Sequence, residues 1–281
     1  MMFAQDEMTR DQAQRPDMDV LADVRDAMWQ DDTIRNSDRN SLEVEVREGE
    51  VILSGHMASA LYRQHLEDVV MAVPGVRALR NEIVFDTELA NAVSQALATD
   101  PRTRPYLLRV GAFHGWIHLN GEVTDSRARA AAEEIAAQVP SVRGILTLPE
   151  LPGELVGQRR RALQPRLDSP VYADDGPAGT VVQVVINPRN RLVSQIGVAV
   201  QFELEGKTVR GQYPVPVEAI DHVSDSGVFL YETLDALAAR PAFEESSFPL
   251  APQDWRPPFP YAARTVRLDS QHAPSIILEE H

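Results

Sequence analysis

Residues 48–57 read EGEVILSGHM, and residues 114–123 read HGWIHLNGEV. The two stretches superpose without a gap: Gly49 falls on Gly115, Val51 on Ile117, Leu53 on Leu119 and Gly55 on Gly121. The offset is 115 − 49 = 66 residues. It continues downstream, where VPGV (73–76) falls on VPSV (139–142). Upstream it drifts by about three residues, as a change in loop length would cause. There DVLADVRDAMWQDD (19–32) faces LANAVSQALATD (89–100). An internal repeat of this length is one supersecondary unit used twice.

Each copy has the same order of elements. An amphipathic helix comes first, with Leu21, Val24 and Met28 on one face, and Ala90, Val93 and Leu97 in the second copy. A strand follows, Leu42/Val44/Val46 or Leu108/Val110. Gly49 or Gly115 then supplies a tight turn, since glycine tolerates a positive φ at little cost. The second strand carries Val51/Leu53 or Ile117/Leu119, and Gly55 or Gly121 marks its exit. A second helix starts near Ser59, or Thr124/Asp125, which are good N-caps. Its apolar face is Tyr62, Leu66, Val69 and Val73, matched by Ala128, Ala132, Ile135 and Val139. Pro74 or Pro140 stops it, and a last strand follows at 76–85 or 142–148. The fold class expected is α+β, with two tandem αββαβ domains, each laying two helices on a three-stranded mixed sheet. The step from strand two to strand three should be a right-handed crossover.

This pattern resembles the BON domain: a helix, then VEVREGEVILSG, then a helix ending in VPGVRALRN. The second copy departs at Ser141, which replaces the glycine, and lacks the final asparagine. The resemblance implies attachment to phospholipid surfaces or envelope proteins, often in stress response, in bacterial cells. The expected boundaries are a disordered segment at 1–18, a first domain at 19–85 and a second at 86–150.

Residues 151–166 read as a linker, where prolines and a charge run replace the periodic pattern. Arg159, Arg160, Arg161 and Arg166 form the one basic cluster. It serves either acidic surfaces of its own chain, or phospholipid headgroups or nucleic acid. From 167 to 236 the chain is β-rich, with five short strands separated by NPRN, EGK and SDSG. This is the pattern of a small closed sheet. VVQVVINPRNRLVSQIGVAV, PVPVEAIDHV and SDSGVFLYE resemble a PRC-barrel domain, which implies protein or ribonucleoprotein docking. Residues 237–281 form a proline-rich tail whose aromatics, Phe243, Phe248, Trp255, Phe259 and Tyr261, are expected to fold back onto the barrel.

The chemistry is bounded by absences in the sequence. There is no cysteine, which excludes thiol and disulfide chemistry. The net charge of -15 argues against nucleic acid as a partner. Lys207 is the only lysine. Phosphate-loop, nucleophile-elbow and dinucleotide motifs do not occur, so no catalytic residue and no cofactor is assigned. His56, His65, His222 and His272 are scattered along the chain. His114 and His118 invite a metal, but on a strand they stand ~13 Å apart, too far for one ion. The N-terminus has no apolar signal region and no run spans a membrane. A cytoplasmic protein is expected, or an envelope protein if the start codon is misassigned.

Strand parity supplies the candidate site. If Ile117 and Leu119 face the helices, then His114, Trp116 and His118 face the other side of the sheet, joined by Leu107 and Arg109. The matching positions of the first copy are Glu43, Glu45, Arg47, Glu48, Glu50 and Ile52. One copy presents acid; the other presents aromatic, imidazole and guanidinium groups. The expectation is a non-enzymatic adaptor whose Trp116 face contacts the first repeat, another protein or a lipid surface, unless the linker or barrel covers Trp116. A peripheral phospholipid-binding module, with Arg159, Arg160 and Arg161 or Trp116 on the headgroups, is the alternative. RNA docking through the barrel is the weaker one.

Overall fold

The computed structural model describes residues 15–37, 41–152, 160, 162–204, 206–252, 255–262 and 265–269. Residues 1–14 of the expected N-terminal segment lie outside that set, as do Arg159 and Arg161. The chain divides into two compact units, residues 1–92 with 112–115, and residues 93–111 with 116–281.

In the first unit, helix α1 (Asp17–Gln30) buries Val20, Val24 and Met28, each four residues after the last. The face is centred on Val20 rather than Leu21, because i, i+4 and i+8 lie one above another on a helix. A short helix α2 (Asp32–Ser37) follows. The Asp31 carboxylate caps it by accepting from the N–H groups of Thr33 and Ile34. Its Ile34 joins the core. Strands β1 (Leu42–Arg47) and β2 (Glu50–Met57) form an antiparallel hairpin. A one-turn 3-10 helix, Ala60–Tyr62, leads into α3 (Arg63–Met71). Strand β3 (Ala78–Phe85) returns parallel to β2, giving the order β1-β2-β3. Helix α3 buries Leu66 and Val70, whereas Tyr62 stays exposed.

The second copy repeats this plan. Helix α4 (Asp86–Thr99) leads to β4 (Arg109–Phe113), β5 (Trp116–Asn120), α5 (Ser126–Gln138) and β6 (Gly144–Thr147). The sheet order is again central-strand second, β4-β5-β6. In α4 the buried face is Leu89, Val93 and Leu97. Measured on these residues the upstream offset is 89 − 20 = 69, so the three-residue slip lies between the first helix and the first strand. In the first copy that connection contains α2. Asp125 caps α5, accepting from Arg127 and Ala128, and these bonds hold its carboxyl below the usual range. Where α3 buries Leu66 and Val70, α5 carries Ala132 and Ala136, both fully buried. The smaller side chains let a helix approach its sheet more closely.

The glycines act alike in both copies. Glu48 and Gly49 have φ of 52° and 80°; His114 and Gly115 have 47° and 79°. Two successive positive φ angles are those of a type I′ hairpin turn, whose twist matches its flanking strands. At Gly55 a Cβ would collide with the carbonyl oxygen of Ser41. At Gly121 it would lie 2.6 Å from that of Leu107. The first strand of each copy therefore passes too close for any side chain there.

The rest of the second unit is built on one sheet of seven strands. These are β7 (Pro170–Ala173), β8 (Gly176–Ile186), β9 (Val193–Leu204), β10 (Lys207–Pro216), β11 (Ile220–Ser224), β12 (Gly227–Leu230) and β13 (Val266–Leu268). The path runs β10-β9-β8-β7-β12-β11, with β13 on β8. Among the described residues no pairing joins β10 to β11, so the strands form an open path where the sequence predicts a small closed barrel. Shifts of register in β8 against β9 bend these strands around the core. Val181, Val184, Ile186, Ile196, Val198 and Val215 lie in that core. The described part of the proline-rich tail packs on this sheet: β13 pairs with β8, and Trp255 and Tyr261 lie against the core.

Candidate functional site

The two copies expose their second sheet face to different surroundings. In the first copy parity puts Glu43, Glu45 and Arg47 of β1, Glu50 and Ile52 of β2, and Arg80 and Glu82 of β3 on that face. Glu43, Glu45, Arg47, Arg80 and Glu82 are exposed. Arg47 pairs with Glu45 at 2.7 Å and Arg80 with Glu82 at 3.0 Å. Such exposed pairs contribute under about 1 kcal/mol each. Their long stems matter more. Ile52, directly between Glu45 and Arg80 in register, is only 7% exposed. Long charged side chains in such a row can cover an apolar residue with their stems while their heads stay in water.

In the second copy Trp116 occupies the position of Glu50, and it is half-buried. Its cover comes from its own unit. The Arg143 guanidinium lies 5.0 Å above the Trp116 ring and 5.1 Å from that of Phe259. Arg143 also donates to Gln164, whose amide donates to the Phe259 carbonyl at 2.7 Å. At Gly144 a Cβ would lie 2.8 Å from the Trp116 ring and 2.5 Å from Leu192, so these two side chains crowd the strand backbone. The turn between β8 and β9 docks there through main-chain groups as well. Ile145 donates to Asn190 at 3.0 Å, and Arg191 Nε donates to the Val142 carbonyl. A flat cation over an indole is a strong local clamp. The C-terminal sheet and its tail therefore meet the side of the second copy on which Trp116 stands.

The remaining sequence-predicted residues separate. His118 is half-buried and bonded through Nδ1 to Thr147 at 2.9 Å. His114 is a turn residue, so strand parity does not govern it. Its Nδ1 contacts Ser41 Oγ at 2.7 Å, and its ring stacks on Phe113 at 4.2 Å. The two histidines thus serve different neighbours. Arg109 is exposed, and Leu107 is 81% exposed. Of the basic cluster, Arg160 is held by its own chain: it pairs with Glu133, and its N–H donates to the Leu146 carbonyl at 2.7 Å. Arg159 and Arg161 lie outside the described residues.

Sequence reasoning missed Arg143, Leu192 and Phe113, which is 60% exposed. It also missed a carboxylate that holds each hairpin turn. Asp17, the first residue of α1, accepts from the N–H groups of Glu48 and Gly49. Asp86, the first residue of α4, accepts from those of His114 and Gly115. The signal was available, because 86 − 17 = 69 is the upstream offset of the repeat. A carboxylate at a helix start is also favoured by the helix dipole.

The geometry of each copy, two helices on one face of a three-stranded mixed sheet with a glycine turn, agrees with a family comparison. The BON domain model matches residues 17–87 and 85–147. Both repeats match the BON domain. The match points to a binding module. No curated protein sequence matches the chain. Among solved structures, the chain is similar to the C-terminal domain of CdsD, a structural protein of the type III secretion system of Chlamydia trachomatis. That likeness has 14% identity and a TM-score of 0.40, and covers 48% of this chain and 66% of that one. A second CdsD structure gives 14% identity and a TM-score of 0.36, over 47% of this chain and 59% of that one. The chain thus spans less than two thirds of the length of either structure. Among the described residues no helix is long and apolar enough to cross a membrane.

Proposed function

We propose that the protein is a non-enzymatic adaptor that docks other proteins through its BON sheet faces and a PRC-barrel-like C-terminal module. One observation carries the reading. The second face of the first copy is exposed and charged, while the Trp116 face of the second copy is engaged by the chain's own C-terminal sheet. The docking role then falls to Glu43, Glu45 and Glu82 of the first copy, and to the exposed Leu107 and Arg109 beside the covered face. A face of this sign suits a basic protein surface, whose approach it speeds by long-range attraction. Anionic bilayers and nucleic acid are disfavoured by the same charge and by the net -15 of the chain.

The test is crosslinking in the native cell followed by mass spectrometry. Wild type is compared with a Glu43→Lys/Glu45→Lys/Glu82→Lys variant and with Leu107→Ser/Arg109→Glu. Loss of specific protein crosslinks in either variant is expected. Unchanged crosslinks in both, together with co-sedimentation on anionic liposomes, would replace the adaptor with a peripheral phospholipid-binding module.

A further inference from the structure

The second unit contains a cavity of about 780 Å³ that neither repeat pattern explains. Its walls are the end of α5, the β8–β9 turn, and the tail before β13. Three arginines line it, Arg189, Arg191 and Arg256, against one carboxylate, Glu134. Glu134 is already engaged by Arg102 at 3.1 Å. In a chain with fifteen net negative charges this is a local inversion of sign.

Among the described residues no carboxylate bonds these three arginines. Arg191 is only 6% exposed. Its Nε and Nη2 donate to the carbonyls of Val142 and Arg256, and its guanidinium lies 5.2 Å from the Trp255 ring. No carboxylate bonds it among the described residues. Burial pulls its pKa down to about 10, so it keeps its charge at neutral pH. A buried cation is costly unless it is paired with an anion. The guanidinium groups of Arg189 and Arg256, both exposed, likewise bond no carboxylate among the described residues. Apart from Gln138 and Ser141 the remainder of the lining is apolar, with Trp255 and the exposed Leu250 prominent.

We propose that this cavity binds a compact amphipathic anion: a carboxylate carried on an apolar body. The volume lies in the range of small-molecule sites. Guanidinium groups match a carboxylate in a planar, two-bond geometry. Four of the lining residues are prolines, Pro140, Pro188, Pro249 and Pro252, and a proline offers no N–H. An extended peptide strand would find few main-chain partners along such walls. A single apolar group ending in a carboxylate needs none. Two sources share that chemistry, a free alkanoic acid and the C-terminal residue of a polypeptide. The inference stands apart from the adaptor reading, because it uses neither repeat's sheet face.

The test is isothermal titration of the full chain with sodium octanoate, 1-octanol and acetate. It is repeated with an acetylated tetrapeptide ending in leucine, as the free acid and as the amide. Octanoate or the free-acid peptide should saturate one site, with octanol, acetate and the amide at least about tenfold weaker, the weight of one charge-assisted bond. Saturation by octanoate assigns the site to free acids; saturation by the peptide alone assigns it to a polypeptide terminus. Arg189→Gln/Arg256→Gln should weaken binding about tenfold or more with an unchanged melting temperature, since both residues are exposed. Equal binding of octanol and octanoate would overturn the proposal, as would no saturation by either acid, or unchanged binding in the double variant.

Discussion

Position by position, the two BON copies differ most where they look most alike. Subtracting 66 pairs Trp116 with Glu50, Arg143 with Arg77, and Gly144 with Ala78. In the first copy Arg77 and Ala78 are exposed and Glu50 is half-buried. In the second, Arg143 and Gly144 are buried and Trp116 is half-buried. The arginine is the same residue type in both, yet one is solvated and the other lies between two aromatic rings. The helix-facing sides barely differ, because each must fill a core. The outward sides are released from that demand, so they diverge toward what each copy meets.

That difference can be broken experimentally, and the largest effect is expected at its centre. Trp116→Ala removes the ring beneath Arg143 and beside Leu192, and should cost about 3 kcal/mol in urea unfolding. Glu50→Ala in the first copy should stay within about 0.5 kcal/mol. Equal costs would show that the second copy's outward face is no better packed than the first's. Gly144→Ala comes next. Its Cβ has no room against Leu192 and Trp116, and about 2 kcal/mol should be lost, whereas Ala78→Gly should lose at most about 1 kcal/mol.

The turn carboxylates sharpen the comparison from another side. Asp86 is 3% exposed and Asp17 is half-buried, though each accepts two main-chain N–H groups. Asp86→Ala should therefore cost about 2 kcal/mol and Asp17→Ala about 1 kcal/mol, since stranded donors are dearer when buried. Thermal melts of the two variants would decide the order. The smallest effect belongs to the first copy's ion pairs. A double-mutant cycle on Glu45 and Arg47 should give a coupling below about 0.5 kcal/mol, vanishing in molar salt. A larger coupling would mean that this face is held more rigidly than its exposure implies.

Legibility followed the range of the interaction. Gly49, Gly55, Gly115 and Gly121 could be read from local rules, because a positive φ or a crowded neighbouring strand leaves no other residue. Asp125 could be read as a cap from its place before an apolar period. Val20 was missed for Leu21, and Leu89 for Ala90, because an apolar stripe with several members has an ambiguous centre until a sheet selects one. The barrel was expected from strand spacing, which counts strands but does not state whether the last one closes on the first. His114 was placed by strand parity, which fails where the turn begins.

The sequence by itself determined the repeat, its element order and which side of each sheet faces its helices. Those properties rest on a period of two or nearly four residues and on glycines at fixed distances, all contained within a single copy. Only the tertiary structure decided what covers Trp116, and that three arginines from the β8–β9 turn and the tail share one cavity. Parity assigns a side chain to a face. It carries no information about Leu192 or Phe259, which reach that face from far along the chain, because their contact depends on packing and not on any local period.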